Sequence, residues 1–490
     1  MTPKNLLDLK TDEKILLVGI GTEILQFLSW LTEVVKLKPN QICLADKKEN
    51  PELPGFRSEE FDSIYFGENY LQAFTNPHIK YIFKAPGIWS KSPEFEDFRA
   101  KNGQQSVLSS LVFFINKYKS QIIGITGTKG KSTTSSLVQH FLVNSGYDSK
   151  YCGNTTGISP YQFWTDLNQE IQQTQKFVIE LSSFQLQDLG NSLVSPDLAI
   201  ITNYYVDHQD QHHGTSEYWL AKDHIYLYQR ENGLVVASPS VLEKSTNLKS
   251  KTTKIITDDQ LIENINSQVK HNLIGKHNQS NLAQSLIIVE SLVQGTQDIK
   301  LILEGIITKK DHYTNLLQRF QPLAHRIQLI RTIDLEKVTI NFYDDGAATE
   351  PDAVAAAVKS LTEKANQFLW LQLTGTDPGP DLTNLISTLK EEEKMIYKID
   401  FCGKIGQRIY NTLYNKQPEL NNFRDTISQY FTDFETEIEQ FLGYIAGKNF
   451  TSKPTLQIVL SPCGKSFDEF QNYLDRCNWW VEQVKSIKSR

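Results

Sequence analysis

Residues 122–134 read Ile-Ile-Gly-Ile-Thr-Gly-Thr-Lys-Gly-Lys-Ser-Thr-Thr and constrain the fold more than any other stretch of the chain. An apolar run suited to a buried strand enters a glycine-bearing loop. The loop ends in Gly130, Lys131, Ser132 and Thr133, where a helix begins with Leu137, Val138, Phe141 and Leu142 on its apolar side. Strand, loop and helix in that order open a parallel β–α–β unit. Such a loop turns backbone N–H groups and a helix N-terminus toward an anion. Lys131 has the length to reach terminal phosphates, and a hydroxyl of Ser132 or Thr133 suits magnesium. The strict P-loop spacing would put glycine at Ile125; here the glycines fall at 124, 127 and 130.

Strand-like and helix-like runs alternate along the rest of the chain, which predicts an α/β protein with mainly parallel sheets. Its 490 residues, at roughly 150 per domain, predict three domains. Residues 1–115 start with a strand that enters a glycine turn at Gly19 and Gly21, then an apolar helix, then a second strand, Ile42–Asp46, ending in an acid. That is a Rossmann-like opening with two of the three fingerprint glycines, and a plain tight strand–helix turn is the other reading. Residues 116–321 carry the P-loop and the dense motifs. Residues 322–490 begin again with strands, 338–343, 367–373 and 456–460, and end in a helix from Phe467 to about Ile487.

With 50 basic and 57 acidic side chains and a net charge of −7, the chain has no polycationic footprint, so no nucleic-acid partner is expected. The early apolar stretch from Ile15 to Leu31 is broken by Glu23 and Gln26, so no membrane span is expected. Charged residues precede it, which does not suit a signal peptide. The five cysteines, Cys43, Cys152, Cys402, Cys463 and Cys477, form no CxxC pair. That argues against a disulfide framework or a cysteine-paired zinc site and for a reducing cytoplasm.

Beyond the P-loop, three residues have the chemistry of a metal-assisted site. Phe177–Glu180 is a short apolar strand ending in a carboxylate, and ligands in α/β sheets bind beyond the carboxyl ends of strands. Glu180 is therefore a candidate magnesium ligand; a solvated strand-end acid is the bland reading. Strand Leu198–Asn203 leads to a loop holding His208, a candidate ligand although magnesium prefers oxygen. Lys222 falls in the middle of a helix around Tyr218–Tyr226, where a lysine is ordinarily solvated.

In their order, these strings resemble the Mur ligase family: Gly127–Thr133, Glu-Leu-Ser-Ser-Phe-Gln-Leu at 180–186, Asp207–Asp210, Ala221-Lys222, Gly275–Asn281, His325-Arg326 and Asp344–Thr349. The 180–186 string and Leu460–Tyr473 are most similar to members that add D-glutamate. The resemblance spans nearly the whole chain and is thinnest in the first segment.

The resemblance implies a three-domain fold: a Rossmann-like N-terminal domain for the UDP substrate, a central P-loop ATPase domain, and a Rossmann-like C-terminal domain for the amino acid. It implies ATP-dependent joining of D-glutamate to UDP-N-acetylmuramoyl-L-alanine through an acyl phosphate, in peptidoglycan-precursor synthesis, by a cytoplasmic enzyme expected to be monomeric. Gly127, Thr128, Lys129, Gly130, Lys131, Ser132 and Thr133 would hold ATP, with Asn278, Asn281, Arg326 and Asp345 on the nucleotide. Two magnesium ions would be held by Ser132, Glu180, His208 and a carbamylated Lys222. Lys131, Glu180, His208 and Lys222 are the implied catalytic set. Asn154 would sit near the substrate and metal, Asp46 and Gly87 would contact the uridine nucleotide, and Thr349, Ser466 and Tyr473 would hold the amino acid. An acyl phosphate must be shielded from water, so closure of the third domain on the second is implied, with Arg326 between them.

The pattern departs from the family in three places. Ala347 stands where the D-glutamate-adding members usually have a lysine, and the 374–380 loop has no lysine at all. Losing a cation should weaken a carboxylate ligand by ~1–3 kcal/mol; Lys465 beside Ser466 offers one replacement. Glu23 lies in the glycine turn, where an acid would repel a diphosphate unless it points away. Ligation with another amino acid or a folylpolyglutamate-type acceptor, and an inactive nucleotide-binding regulator, are the alternative functions.

Overall fold

A computed structural model of the chain describes residues 9–10, 12–88, 92–153, 158–163, 174–204, 215–245, 252–271, 273, 275–321, 324–363, 365–377, 379, 381–414, 424–427, 433–446, 448–466 and 470–487. The described residues form an α/β protein built on three sheets. They cluster into two compact units, Met1–His271 with Gln279–Phe320, and Asn272–Asn278 with Gln321–Arg490.

The first unit contains two sheets. One holds β1 (Lys14–Val18), β2 (Ile42–Asp46), β3 (Ser63–Phe66), β4 (Ile79–Lys84) and β5 (Val107–Ser109) in the order β3-β2-β1-β4-β5, all parallel. The other holds β6 (Ile122–Thr126), β7 (Asp148–Gly153), β8 (Gln175–Glu180), β9 (Leu198–Ile201), β10 (Leu234–Ala237) and β11 (Thr253–Ile256) in the order β11-β10-β9-β6-β8-β7, again all parallel. Parallel sheets need both faces covered, and β1, β2, β6, β8, β9 and β10 are accordingly buried along nearly all of their length.

The helices that matter for the site are α1 (Thr22–Glu33), α2 (Ser110–Lys117), α3 (Lys131–Asn144), α4 (Ser183–Asn191), α5 (Thr215–Asp223) and α6 (Lys276–Gln294) in chain order. One core joins the two sheets. Phe27 of α1 meets Tyr161 at 4.9 Å, and Phe114 of α2 meets Phe177 of β8 at 5.1 Å between ring centroids. That shared aromatic packing is why both sheets fall in one unit. A buried ion pair crosses the same region, Lys84 Nζ to Asp188 of α4 at 2.6 Å.

The second unit holds β12 (Gln328–Asp334), β13 (Thr339–Asp344), β14 (Gln367–Thr374), β15 (Ile396–Phe401), β16 (Arg424–Ile427) and β17 (Thr455–Cys463), ordered β12-β13-β17-β14-β15-β16. Only β12 runs antiparallel, to β13. Apolar clusters cover each face of the sheet. Helices α7 (Gly403–Tyr414) and α8 (Tyr473–Ser486) pack here. The final helix starts later than Phe467, because Asn472 caps it by accepting the Asp475 N–H at 3.0 Å.

Candidate functional site

The loop between β6 and α3 is shaped by two glycines. Gly127 has φ 146° and Gly130 φ 84°, conformations that L side chains rarely adopt. A Cβ at Gly130 would meet Asn281 Oδ1 at 2.7 Å, so the asparagine of α6 lies directly against the loop. Asn278, one helical turn earlier on α6, donates its N–H to Gly275 O at 3.0 Å.

Two ammonium groups converge on one carbonyl. Lys131 Nζ donates to Gly127 O at 2.9 Å and to Thr128 O at 3.0 Å. Lys222 Nζ donates to the same Gly127 O at 3.0 Å. Lys222 is buried, with its ammonium 4.7 Å from the centre of the Tyr218 ring. The structure places it in the last turn of α5 rather than mid-helix, because α5 ends at Asp223, whose carboxylate accepts bonds from the Tyr204 and Ser245 hydroxyls. Burial raises the Asp223 carboxyl.

Glu180 ends β8, buried, and accepts the Tyr151 hydroxyl at 2.9 Å. That hydroxyl also bonds with Ser132 at the start of α3. Burial first, then the Glu180 charge, push the phenol up, so it stays a neutral donor. Tyr151 thus ties the strand-end acid to the serine of the loop, and both are oxygen donors of the kind a hard cation takes. Thr133 follows Ser132 on the first turn of α3. His208 and Asn154 lie outside the described residues.

Two residues of the loop's support were not singled out from the sequence. Thr128 N–H donates to Asn203 O at 3.0 Å, Lys129 N–H donates to Asn203 Oδ1 at 3.0 Å, and Asn203 Nδ2 returns a bond to Lys129 O at 3.1 Å. Thr202 Oγ1 donates to Lys129 O at 2.5 Å. The only signal in the sequence was their position at the end of an apolar strand.

In the first sheet, Asp46 closes on the glycine turn: Oδ2 accepts the Ile20 N–H and Oδ1 the Lys48 N–H at 2.8 Å. Gly87 lies in the turn after β4, next to Ile88, which packs on Gly19. Glu23 points away from this turn into the interior, where it accepts the Ser110 hydroxyl. Burial raises its carboxyl, with Ser110 and Lys84 lowering it and Asp188 raising it. Beside it is a cavity of about 110 Å³ lined by Glu23, Leu111, Gly153, Ser159, Ile179 and Gln185, among others. It lies between the start of α1 and the ends of β7 and β8.

The second unit gathers the remaining candidates at the carboxyl ends of β13, β17 and β14. Asp345 is buried; its carboxylate accepts Ile327 N–H at 3.1 Å and Ser461 Oγ at 2.7 Å. Burial pushes it up to about 7 against the lowering effects of Ser461, Ile327 and Arg326. Arg326 is exposed in the adjoining turn. Thr349 donates its N–H to Ala347 O at 3.1 Å. Ser466 is buried, and Tyr473 is exposed with its ring edge-on to His325 at 6.2 Å. The 374–380 loop receives a cation from elsewhere in the chain: Arg408 of α7 pairs with Asp377 at 2.9 Å. Lys465 adjoins the same loop, its carbonyl accepting Thr376 N–H at 2.8 Å.

Residues 125–289, the stretch that contains this loop, Glu180, Lys222 and Asn281, match the Mur ligase middle domain. Similarity extends along the chain. The UDP-N-acetylmuramoylalanine--D-glutamate ligase of Acetivibrio thermocellus is 25% identical over 488 residues, covering 98% of this chain and 97% of its own. The chain carries a Mur ligase middle domain and is similar along nearly its whole length to Mur ligases. The protein of the same name from Clostridium beijerinckii is 25% identical over 492 residues, 97% of each chain. That from Clostridium botulinum is 29% identical over 369 residues, 71% of this chain and 73% of its own length. Among the described residues of this chain, no helix is long and apolar enough to cross a membrane.

Proposed function

We propose that this Mur ligase uses ATP to join D-glutamate to UDP-N-acetylmuramoyl-L-alanine through an acyl phosphate, in peptidoglycan-precursor synthesis. The observation that carries the reading is the pair of ammonium groups, Lys131 and Lys222, on the Gly127 carbonyl, with Glu180 tied to Ser132 through Tyr151. A loop so furnished suits a polyphosphate, since cations and N–H dipoles in a dry setting stabilise charge on transferring oxygens. The full-length relatives support the same reading.

In this scheme residues 1–115 bind the UDP substrate around Asp46 and Gly87, 116–321 bind ATP, and 322–490 bind the amino acid. The substrate carboxylate forms a bond to the γ-phosphorus as the bond to ADP breaks. The amine then attacks the acyl carbon and phosphate departs. Gly127–Thr133, Asn278 and Asn281 contact ATP, as do Arg326 and Asp345; Lys131 neutralises charge on the γ-phosphate. Thr349, Ser466 and Tyr473 hold the amino acid, and Asn154 the acceptor.

The buried Glu180 carboxylate and the neighbouring Ser132 hydroxyl fit magnesium, with His208 and a carbamylated Lys222 completing a two-ion set. Magnesium would supply charge neutralisation of the phosphates. Carbamylation exchanges the Lys222 cation for an anion with two oxygens, a better partner for such ions than an ammonium.

The amino acid is the least constrained substrate. Ala347 brings no cation and Arg408 is already paired with Asp377, which leaves Lys465 to meet a carboxylate near Ser466. The deciding experiment measures phosphate release with UDP-N-acetylmuramoyl-L-alanine and each amino acid in turn. Release with D-glutamate alone is expected. Release only with another amino acid, or with a folate acceptor, replaces the substrate assignment; no release with any favours a binding protein.

A further inference from the structure

His325, Asp344 and Cys477 arrive at one point of the second unit from the turn before β12, the end of β13 and helix α8. One donor atom from each lies within 4.8 Å of the others. None of the three has a role in the ligation scheme. The geometry points to a binding site for a borderline-soft divalent cation, zinc by chemistry, formed by His325 Nδ1, an Asp344 carboxylate oxygen and Cys477 Sγ.

The donor set selects the ion. Nitrogen, oxygen and sulfur together suit zinc, whereas magnesium and calcium avoid a thiolate. A tetrahedral zinc holds its donors about 3.5 Å apart. His325 Nδ1 and Asp344 are 2.6 Å apart and all three donor atoms lie within 4.8 Å of one another, so small side-chain movements reach that spacing.

Charge and burial agree. Asp344 is fully buried, and among the described residues its ion pairing is with His325. A buried carboxylate needs a positive partner, and a dication bound by Asp344 and the Cys477 thiolate leaves the cluster neutral. His325 keeps 15% of its side chain exposed, which gives an entry side and room for a fourth ligand.

The surroundings orient the donors. Asp344 Oδ1 accepts the Gly346 N–H at 2.9 Å. Buried Arg476 donates to Gly346 O at 3.3 Å and to Gly464 O at 3.1 Å, which fixes the start of α8 against the turn. Position 346 must be glycine for the thiol to reach: a Cβ there would come within 2.1 Å of Cys477 Sγ. No CxxC spacing announces this site, because its three donors are remote in sequence.

The test uses the full-length protein, stripped of metal and kept in excess magnesium so that oxygen-only sites are filled. Cobalt(II) is titrated as the probe, then displaced by zinc against a chromophoric chelator. One cobalt per chain with a cobalt–thiolate charge-transfer band is expected. Cys477→Ser should abolish the band and weaken zinc at least tenfold, and Asp344→Asn should weaken zinc to a similar extent. Absence of the band in the folded wild-type protein overturns the proposal, as does zinc binding of wild-type strength in Cys477→Ser. Should Cys477→Ser not fold, the wild-type band and Asp344→Asn decide the matter.

Discussion

The Lys222 ammonium lies 3.0 Å from the carbonyl oxygen of Gly127, a residue 95 positions earlier in the chain. A helix lysine, which ordinarily extends into solvent, is here buried on the back of the phosphate loop. Lys222→Ala should therefore lower turnover by roughly 100-fold or more, the scale for losing a preorganised charged group at a transferring phosphate. If the working form is a carbamate, a short-chain acid added with the Ala variant should restore part of the rate. Phosphate-release kinetics read both; full activity of the variant would remove Lys222 from the mechanism.

Asn203 holds Lys129 by two side-chain bonds, at 3.0 and 3.1 Å. Asn203→Ala leaves a backbone N–H and C=O of the loop without them. A loss of ~1–3 kcal/mol is expected, seen as weaker ATP affinity and a lower thermal midpoint. Nucleotide titration by calorimetry checks it, and unchanged affinity would show that the loop keeps its shape unaided.

The buried Lys84–Asp188 pair predicts an asymmetry. Lys84→Met takes the ammonium away from the buried Asp188 carboxylate and should cost ~3–5 kcal/mol, whereas replacing both by apolar residues of similar volume should cost far less. Comparing thermal midpoints of Lys84→Met and of Lys84→Met with Asp188→Leu is the measurement. A double variant no better than the single one would contradict this account.

Glu23 gives a pH dependence with a defined sign. Its carboxyl is raised above the ordinary value of 4.5, chiefly by burial. A carboxyl that binds its proton more tightly when folded penalises the folded state progressively as pH climbs from its unfolded value through its folded one, and fully above that. Glu23→Gln removes this titration. The variant should gain in thermal midpoint over the wild type as the pH is raised above 4.5, with no such gain on the acid side. A midpoint difference independent of pH would show that Glu23 does not carry the effect.

Much of the architecture was legible before any coordinates. The apolar runs at 14–18, 42–46, 122–126 and 177–180 became buried parallel strands, because a strand covered on both faces is apolar along most of its length. The phosphate loop was equally legible, since a glycine turn between strand and helix is a local device. Less was readable where partners are distant. The antiparallel β12, the start of α8 at its Asn472 cap and the end of α5 at Asp223 depend on contacts that periodicity does not record.

The site divides in the same way. The sequence by itself determined which side chains stand in the ordered strings, Lys131, Ser132, Glu180 and Lys222 among them, and so which ones the proposed chemistry calls on. Tertiary structure decided what each one meets. It brought Lys222 onto the Gly127 carbonyl, put Tyr151 between Glu180 and Ser132, turned Glu23 inward to Ser110, and gave the lysine-free loop an arginine from α7. It also assembled His325, Asp344 and Cys477. The physical reason is common to all of these: side-chain identity is written locally, but burial, charge pairing and donor distances arise only when segments remote in sequence pack together.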